Sequence, residues 1–347
     1  MTRIYLDHNA TTPLRDEARA AMISAMDVVG NPSSVHAEGR AAKALLEKAR
    51  EQLAQALGAE GADVVFTSGA TEAAALACAG RGLQCSGTEH DAVAAWCAAD
   101  LPSDGQGGVE VADPARSALQ VANSETGVVQ DLPAGLAVTD ATQAFGKIPF
   151  SFNGSGAVMA LVSAHKLGGP KGVGALVLRR GTDLVAQIRG GGQEMGRRSG
   201  TENLLGIVGF AAAAAAAVRD VESGAWDEVA NLRNILEKAL EADAINTIFV
   251  GNAVKRLPNT LCLATPGWKG ETQVVQMDLA GFAISAGSAC SSGKVRASRV
   301  LATMGFDDDV AASAIRVSLG PQTTQTDVLR FADAWLSREK KHRARAA

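Results

Sequence analysis

An acid and a lysine each follow an apolar run that is typical of a buried strand. Asp140 comes after Leu136-Ala137-Val138, and Lys166 comes after Ala160-Leu161-Val162. Because the carboxyl ends of parallel strands in an α/β sheet open on a common crevice, we expect both side chains to lie there. A carboxylate for a pyridinium nitrogen and an amine for a Schiff base are the two groups that pyridoxal 5'-phosphate chemistry needs. A lysine after a strand is ordinarily an exposed loop residue, so the prediction of a pyridoxal phosphate site depends on the pair.

A small-residue turn, Ser68-Gly69-Ala70, joins the apolar run Val64-Val65-Phe66 to an alanine-rich stretch that begins at Thr71. A helix that starts there presents free N–H groups to an anion, and the Thr71 hydroxyl adds another donor. Simple capping of the helix by Thr71 is the alternative interpretation. The run Gly190-Gly191-Gly192 lacks a preceding strand and the spacing of a dinucleotide-binding loop, so we expect no such loop there.

Cys290 lies in a run of small polar residues, Ser285 to Lys294, that offers little to anchor it. This composition predicts a mobile loop in which Cys290 is accessible to solvent. The nearby cations Lys294 and Arg296 favour its thiolate, which is the nucleophilic form. The cysteines in apolar or alanine-rich surroundings are predicted to be inert, namely Cys78, Cys97 and Cys262.

Helical patterns alternate with short apolar runs through most of the chain, which predicts an α/β fold with a mainly parallel sheet and helices on both faces. The predicted helices run from about Arg15 to Asp27, His36 to Leu57, Thr71 to Gly80, Leu204 to Val221 and Trp226 to Ala242. The predicted strands cover residues 64–66, 119–121, 136–138, 160–162 and 175–177.

The pattern changes after Gly251. Predicted strands at 260–263 and 282–285 alternate with an amphipathic stretch at 271–279 and a final helix from Thr326 to Leu336. We therefore predict a large domain over residues 15–250 and a small α+β domain formed by 1–14 and 251–347, which carries the Cys290 loop. In this second unit, Arg316 falls at the start of an apolar strand, and its fork suits bidentate binding of an amino-acid carboxylate. A surface salt bridge is the alternative for a lone arginine.

The bulk composition excludes several classes of protein. With 347 residues and 47% of them apolar, the chain is large enough for two packed domains. A net charge of −4 argues against direct nucleic-acid binding, and five irregularly spaced cysteines without a CxxC pair predict neither a disulfide framework nor a metal site. The longest apolar stretch, 207–218, is mostly alanine, and the first residues do not form a secretion leader. We expect a soluble cytoplasmic protein without a membrane span.

Motifs distributed along most of the chain resemble those of the cysteine desulfurases, a family of class V, fold-type I pyridoxal phosphate enzymes. They are Tyr5-Leu6-Asp7-His8-Asn9-Ala10-Thr11-Thr12-Pro13, Gly30-Asn31-Pro32-Ser33-Ser34-Val35-His36, Thr67-Ser68-Gly69-Ala70-Thr71-Glu72, Glu89-His90, Ser163-Ala164-His165-Lys166 and Arg198-Ser199-Gly200-Thr201-Glu202-Asn203. The resemblance runs from near residue 4 to about residue 330. It implies a fold-type I architecture, with a mainly parallel sheet in the large domain and a small α+β domain at the C-terminus.

The resemblance implies a role for each matching residue. Lys166 forms the Schiff base, Asp140 pairs with the pyridinium nitrogen and Gln143 contacts the ring hydroxyl. His90 stacks on the pyridine ring and assists proton transfer. The other cofactor contacts implied are Ala70, Thr71, Ser163 and His165 at the phosphate, together with Ser124 and Ala164.

Substrate and partner contacts follow from the same resemblance. Cys290 is the implied nucleophile, while Arg316 and Asn9 are implied to contact the substrate. Thr201 reaches the phosphate of the neighbouring subunit in this family, so a homodimer with two composite sites is implied.

The sequence departs from the family pattern at several points. Ser124 stands where a second asparagine is usual, Met195 replaces an arginine, and Ala73-Ala74-Ala75 replaces a more polar helix start. The residues between Val129 and Val138 are too few for the usual helix, so part of one sheet face is expected to be uncovered.

The leading hypothesis is a cysteine desulfurase. L-cysteine displaces Lys166 from the cofactor, Lys166 shuttles the α proton, and the Cys290 thiolate takes the sulfur as a persulfide while alanine leaves. The sulfur then goes to an acceptor or scaffold protein for iron-sulfur cluster assembly or tRNA thiolation. The alternatives are a selenocysteine lyase, a cysteine sulfinate desulfinase, another class V aminotransferase, or a degenerate scaffold that binds partners without turnover.

Overall fold

The computed structural model describes residues 3–287 and 297–346 of the chain. The helices of at least four residues that lie in these ranges are α1 (Asp16–Ala25), α2 (Ala37–Ala56), α3 (Ala70–Cys78), α4 (Asp91–Ala94), α5 (Phe152–Ser155), α6 (Leu204–Glu222), α7 (Ala225–Glu241), α8 (Gly270–Leu279), α9 (Arg299–Thr303), α10 (Asp308–Ser313) and α11 (Gln325–Ala346). The strands are β1 (Ile4–Tyr5), β2 (Asp63–Thr67), β3 (Gln84–Ser86), β4 (Ala98–Leu101), β5 (Ala118–Gln120), β6 (Val138–Asp140), β7 (Met159–Ser163), β8 (Gly174–Leu178), β9 (Ile248–Val250), β10 (Thr260–Ala264), β11 (Phe282–Ala283), β12 (Ser285–Ala286) and β13 (Ala314–Ser318).

A five-stranded sheet in the order β2-β8-β7-β6-β5 forms the framework of the molecule. Strands β5, β6 and β7 pair in parallel, whereas β8 is antiparallel to both of its neighbours. Four of the five strands therefore point in the same direction, which confirms the predicted mainly parallel sheet. The common direction places the last residues of β5, β6 and β7 at one edge, where Asp140 is the final residue of β6.

Both faces of this sheet are buried, as continuous apolar strands require. Val64 and Phe66 of β2 face a core that includes Leu53 of α2 and Phe210 of α6. The intervening Val65 points to the opposite face, where it packs with residues of α3. The alternation follows from the two-residue period of a strand and fixes which helices cover which face.

The alanine run of α6 lets this helix pack closely on α1 and α2. Ala211, Ala213, Ala214 and Ala217 are all fully buried in the core beneath the sheet. By length and composition alone, α6 could cross a membrane, but half of its apolar stretch is buried within the fold. That property is shared by the core helices of globular proteins.

A second core lies around an antiparallel sheet in the order β12-β13-β10-β9, near the short parallel pair β1 and β11. Ile4 and Leu6 from the N-terminal segment belong to it, together with Trp335 of α11. Helix α7 also packs here through Leu236 and Leu240. The division into domains 15–250 and 1–14 with 251–347 stays a prediction.

Some elements differ from their predicted bounds. Helix α11 continues ten residues past Leu336, to Ala346. Arg343 pairs with Glu339 one turn earlier and His342 stacks on Trp268 at 5.3 Å, so the charged end of the helix is held by the protein. Arg316 lies in the middle of β13, not at its start.

The connection between β5 and β6 contains no helix, as the short sequence predicts. The prediction that part of one sheet face is uncovered is wrong. Leu119 and Leu136 are almost completely buried in a small cluster. Val109, Val111 and Leu132 pack against that cluster from irregular segments. Extended chain therefore covers the edge of the sheet that a helix would otherwise cover.

At Gly174 of β8, the sheet closely approaches the residue that precedes α3. A Cβ atom at this residue would lie 2.7 Å from the carbonyl carbon of Gly69 and 2.7 Å from the Val162 oxygen. Because both obstacles are backbone, we expect Gly174→Ala to lower the free energy of unfolding by about 1–3 kcal/mol, the usual cost of overpacking. Urea unfolding measures the change. Gly192→Ala is the control, because no atom of the described residues lies within 4 Å of its Cβ position. Equal losses in the two variants would contradict the prediction.

Candidate active site

A cavity of about 660 Å³ opens at the edge of the sheet where β5, β6 and β7 end. It also borders the start of α3 and the N-terminal segment that crosses from the second core. Most of the predicted site residues line this cavity, namely Asn9, Ala70, Thr71, His90, Ser124, Asp140, Gln143, Ser163, His165, Lys166 and Arg316. Their individual roles stay predictions. Asp140 and Lys166 line the same cavity, as the sequence predicts.

Two predicted residues of the described chain, Ala164 and Thr201, do not line this cavity. Ala164 is fully buried in the core beneath it. Thr201 is exposed and borders a smaller neighbouring cavity of about 100 Å³. Cys290, the predicted nucleophile, lies outside the described residues.

The start of α3 forms one end of the cavity, and its N-terminal N–H groups suit an anion. The N-cap residue is Gly69, which has no side chain to accept the free N–H groups, and Thr71 is the second residue of the helix. The alternative in which Thr71 caps the helix is therefore wrong. Ser163 and His165 approach from the end of β7. Burial, assisted by Lys166, lowers the pKa of His165 to about 4, so its ring is neutral at pH 7.

Lys166 and Asp140 are held at fixed positions by the backbone. Lys166 Nζ donates to the carbonyl oxygens of Asn9 at 2.7 Å and Ala10 at 2.9 Å. Asp140 Oδ1 accepts from the Thr142 amide at 2.8 Å. The amine of Lys166, which follows the end of β7, and the carboxylate of Asp140, at the end of β6, thus border the same cavity.

Asn9 connects the segments around Lys166. Its backbone oxygen accepts from Lys166, and its Nδ2 donates to Thr260 Oγ1 at 2.8 Å. Its Oδ1 accepts from Lys147 Nζ at 2.8 Å and from Asn259 Nδ2 at 3.0 Å. The Asn9 side chain is fully buried, and its polar atoms form hydrogen bonds with other groups of the protein. The implied contact of Asn9 with substrate stays a prediction.

Lys147 is a buried lysine that the sequence reasoning missed. It donates to Gln143 Oε1 at 2.7 Å, which leaves the Gln143 Nε2 group to donate to the backbone oxygen of Asn9 at 2.9 Å. Burial first, and then the nearby Lys166, hold its pKa well below the usual range. The available signal was its spacing four residues after Gln143 in a segment that begins at Asp140.

Arg316 brings a buried guanidinium to the opposite side of the cavity. Nη2 pairs with Asp7 Oδ1 at 2.7 Å and Nη1 donates to the Ser124 carbonyl oxygen at 3.0 Å. Within residues 3–287 and 297–346, its Nε has no hydrogen-bond partner although it is buried. The alternative of a surface salt bridge is wrong, because the side chain is only 4% exposed. A spare N–H of this kind suits an anionic ligand.

Ser124 takes part in this arrangement through its backbone. Its carbonyl oxygen accepts from both Arg316 and Asn9 Nδ2, the latter at 3.2 Å. The side-chain change from asparagine to serine therefore leaves these two contacts intact. Met195, the other notable departure, is 60% exposed on a separate surface.

His90 lines the cavity, and Glu89 lies directly before it in the chain. His90 Nδ1 accepts from the Ala92 amide at 3.1 Å and so caps α4. Glu89 is fully buried, and its Oε1 accepts from the Gln120 amide at 2.6 Å. Burial, reinforced by Asp140, raises the pKa of Glu89 well above its usual range and favours the protonated acid.

Cys97 and Cys262 are poor nucleophiles at neutral pH. Burial raises the pKa of Cys262 to about 12, and a hydrogen bond with Cys78 raises that of Cys97 to about 12. Both values favour the thiol over the reactive thiolate. No three His, Cys, Asp or Glu side chains in the described ranges are arranged to hold a metal ion.

The residues present fit pyridoxal 5'-phosphate. The α3 N-terminus has unoccupied N–H groups for a phosphate, Asp140 offers a carboxylate for a ring nitrogen, and Lys166 offers the amine. Arg316 borders the same cavity, and its guanidinium is a suitable group for a substrate carboxylate.

Fold and site together define a class V aminotransferase, and the chain matches the Aminotransferase class-V family over residues 4–96 and 113–331. The chain belongs to this family, whose members use pyridoxal phosphate, so the predicted family and cofactor are confirmed. It is similar to a cysteine desulfurase of Cereibacter sphaeroides, with 39% identity over 95% of this chain and 94% of that protein. The cysteine desulfurase IscS of Dictyoglomus turgidum is 34% identical, covering 94% of this chain and 91% of its own.

Solved structures agree with this assignment. A NifS-like protein from Rickettsia africae superposes with a TM-score of 0.87 and 32% identity, over 98% of this chain and 99% of that chain. The agreement extends over both sheets, which confirms the predicted fold class.

Glu125 is the partly buried carboxyl next to Ser124, and its Oε2 accepts from Ser298 Oγ at 2.5 Å. Burial raises its pKa to about 7 from 4.5. The folded state therefore keeps a proton that the unfolded state loses above pH 4.5, and this contribution to stability is lost as pH rises to about 7.

We expect Glu125→Gln to remove that pH dependence. As pH rises from 4.5 to 7, the stability of the parent should fall relative to the variant by roughly 1–3 kcal/mol. Urea unfolding at several pH values measures the difference. The exposed Glu60→Gln serves as the control, and parallel pH profiles for parent and Glu125→Gln would show the prediction to be wrong.

Proposed function

We propose that the chain is a cysteine desulfurase, which converts L-cysteine into L-alanine and retains the sulfur as a persulfide on Cys290. The observation that carries the proposal is the meeting of Lys166, Asp140 and Arg316 around a single cavity. An amine, a ring-partner carboxylate and a guanidinium for the substrate carboxylate are the groups that an amino-acid enzyme of this cofactor class needs. The names of the relatives support cysteine as the substrate.

Arg316 binds the substrate carboxylate in this proposal. Asp7 and Ser124 fix two sides of its guanidinium, so the arginine is oriented before substrate arrives. Preorganisation of this kind avoids the entropic cost of ordering a long side chain on binding. Its burial also excludes water from the contact and strengthens the attraction to a carboxylate.

Lys166 moves the proton at the substrate α-carbon. The coenzyme, when bound, supplies an electron sink for the negative charge at this carbon. Two backbone oxygens, of Asn9 and Ala10, hold Lys166 Nζ at the cavity wall, from which the amine can act as a base once it is released. His90 provides an imidazole on the other side of the cavity for a second proton transfer.

Sulfur transfer uses the Cys290 thiolate. The thiolate attacks the sulfur of the substrate, the bond between that sulfur and the β-carbon breaks, and the carbon skeleton takes up protons to leave as alanine. One cysteine and one enzyme thiol thus give one alanine and one enzyme persulfide. The raised pKa values of Cys97 and Cys262 support Cys290 as the thiol that reacts.

A homodimer with composite sites belongs to the proposal. Thr201 borders the exterior next to the phosphate-binding turn and so is available to a second copy. Met195 of the same segment is an apolar side chain at 60% exposure, which supports association there. The persulfide sulfur would pass in the cytoplasm to an acceptor or scaffold protein for iron-sulfur cluster assembly or tRNA thiolation.

Trapping the cofactor and counting alanine test the proposal. We expect borohydride reduction of the protein with pyridoxal phosphate to label the peptide that contains Lys166, as read by mass spectrometry. Cys290→Ala should retain this label but lose alanine formation from L-cysteine by about 100-fold or more, because only the nucleophile is removed. Cys97→Ala is the matched control and should keep the parent rate. Alanine formation by Cys290→Ala at the parent rate would falsify the mechanism.

Substitution of Arg316 separates substrate binding from chemistry. Lysine keeps the charge but not the fork, so we expect Arg316→Lys to raise KM for L-cysteine about tenfold or more with a smaller change in kcat. Steady-state alanine formation in the presence of a thiol reductant gives both constants. Arg338→Lys, on α11, is the control; an unchanged KM in Arg316→Lys would count against the carboxylate contact.

A further inference from the structure

The segment 193–201, which we call the arm, is fastened to the phosphate side of the molecule by three ion pairs. Glu194 pairs with Arg50 at 2.7 Å, Arg197 with Asp63 at 2.8 Å and Arg198 with Glu72 at 2.7 Å. The backbone of the arm is strained, because Glu194 and Met195 adopt positive φ angles of 49° and 58°. Such conformations persist only where surrounding contacts enforce them, so we infer that the ion pairs hold the arm in one position.

The third of these pairs reaches the turn that precedes α3. Arg198 Nε donates to Glu72 Oε1 at 2.7 Å and Nη2 donates to Oε2 at 3.3 Å. Glu72 Oε2 also accepts from the Ser68 amide at 2.7 Å. Ser68 lines the main cavity as the first residue of the anion-binding turn. One carboxylate therefore bridges the arm and the turn.

A carboxylate at this position has an electrostatic consequence. Glu72 lies in the first turn of the helix whose N-terminus faces the cavity, and it uses the N–H of Ser68 for itself. An unpaired negative charge there would repel a phosphate in the turn. Although burial raises the pKa of Glu72, its hydrogen bonds from Arg198 and Ser68 lower it overall, so the carboxylate is ionised and needs the arginine.

The small cavity of about 100 Å³ confirms that the arm adjoins the turn. Ser68 and Gly172 line both this cavity and the main one, and Arg198 and Thr201 form its outer wall. Thr201 follows Arg198 by three residues, so the position of Arg198 determines where Thr201 can lie.

We propose that Arg198 is a positioning residue for the cofactor phosphate: it neutralises the Glu72 carboxylate behind the turn and locks the Thr201 segment against the same turn. The inference rests on the proposed function, because it takes the turn at Ser68–Thr71 as the phosphate site. In this proposal, Arg198 connects the turn Ser68–Thr71 of its own subunit with Thr201, the residue that would contact the second copy.

The chain contains a matched control for this role. Arg197 is the adjacent residue of the arm, and its pair with Asp63 has side-chain exposures of 19% and 16%, against 22% and 15% for Arg198 and Glu72. Asp63 begins β2, whereas the turn follows the end of that strand, about 13 Å away along four residue steps. The two pairs are alike in burial and type but differ in their contact with the turn.

The experiment compares two ligands that differ only in the phosphate. Apo protein is titrated with pyridoxal 5'-phosphate and with pyridoxal, and binding is followed by absorbance. We expect Arg198→Gln to weaken pyridoxal 5'-phosphate binding about tenfold or more while changing pyridoxal binding less than twofold. Arg197→Gln should alter neither affinity. The double variant Glu72→Gln with Arg198→Gln should recover most of the lost affinity, because no unpaired carboxylate remains.

Several outcomes would overturn the inference. They are an equal loss for both ligands in Arg198→Gln, an equal effect of Arg197→Gln, or no recovery in the double variant. If Arg198→Gln does not fold, Arg198→Lys keeps the charge and loses the fork; we expect a loss of about threefold for the phosphate ligand, and a parent-like affinity would oppose the role. Failure of the proposed function has a different signature, namely no borohydride-stable label on Lys166 in the parent protein.

Discussion

The hydrogen bonds of Asn9 are the contact on which the site depends. Its backbone oxygen holds the Lys166 amine, while its side chain connects Lys147, Asn259 and Thr260. These partners lie beside residues of two separate apolar cores, Leu167 and Phe145 in the first and Leu261 in the second. Because the side chain is fully buried, loss of any one partner would leave a buried polar group unsatisfied. The junction between the two cores therefore sets the position of the Lys166 amine.

Charged groups around the cavity are paired or neutralised in ways that suit anionic ligands. Arg316 has Asp7 as a partner, and burial favours the neutral forms of Lys147 and Glu89. Such a set limits the number of uncompensated charges that folding must bury. At the start of α3, Arg198 is the partner of Glu72. Whether a carboxylate of the site carries an unpaired charge therefore depends on whether a cation lies within contact distance.

The sequence predicted the parts of the site that follow from local pattern and strand order. Asp140 and Lys166 come together because Asp140 ends β6, Lys166 closely follows the end of β7, and parallel strands end at one edge. The partners of Asn9, the buried Lys147 and the Asp7 contact of Arg316 were not predicted. The contacts of Asn9 with Lys147 and of Asp7 with Arg316 join residues more than a hundred positions apart, so no period or local motif encodes them. The covering of the sheet by segments near Val109 and Leu132 likewise depends on tertiary packing.

That irregular covering has a consequence for how the molecule opens. Strands β5 and β6 have only three residues each, and the segments over them lack the internal hydrogen bonds of a helix. Amide protons at this edge should therefore exchange with solvent through local fluctuations that leave the centre of the sheet intact. Since β6 ends at Asp140, a ligand that contacts this residue would suppress these fluctuations, and occupancy of the cavity would be recorded as slower exchange at the sheet edge.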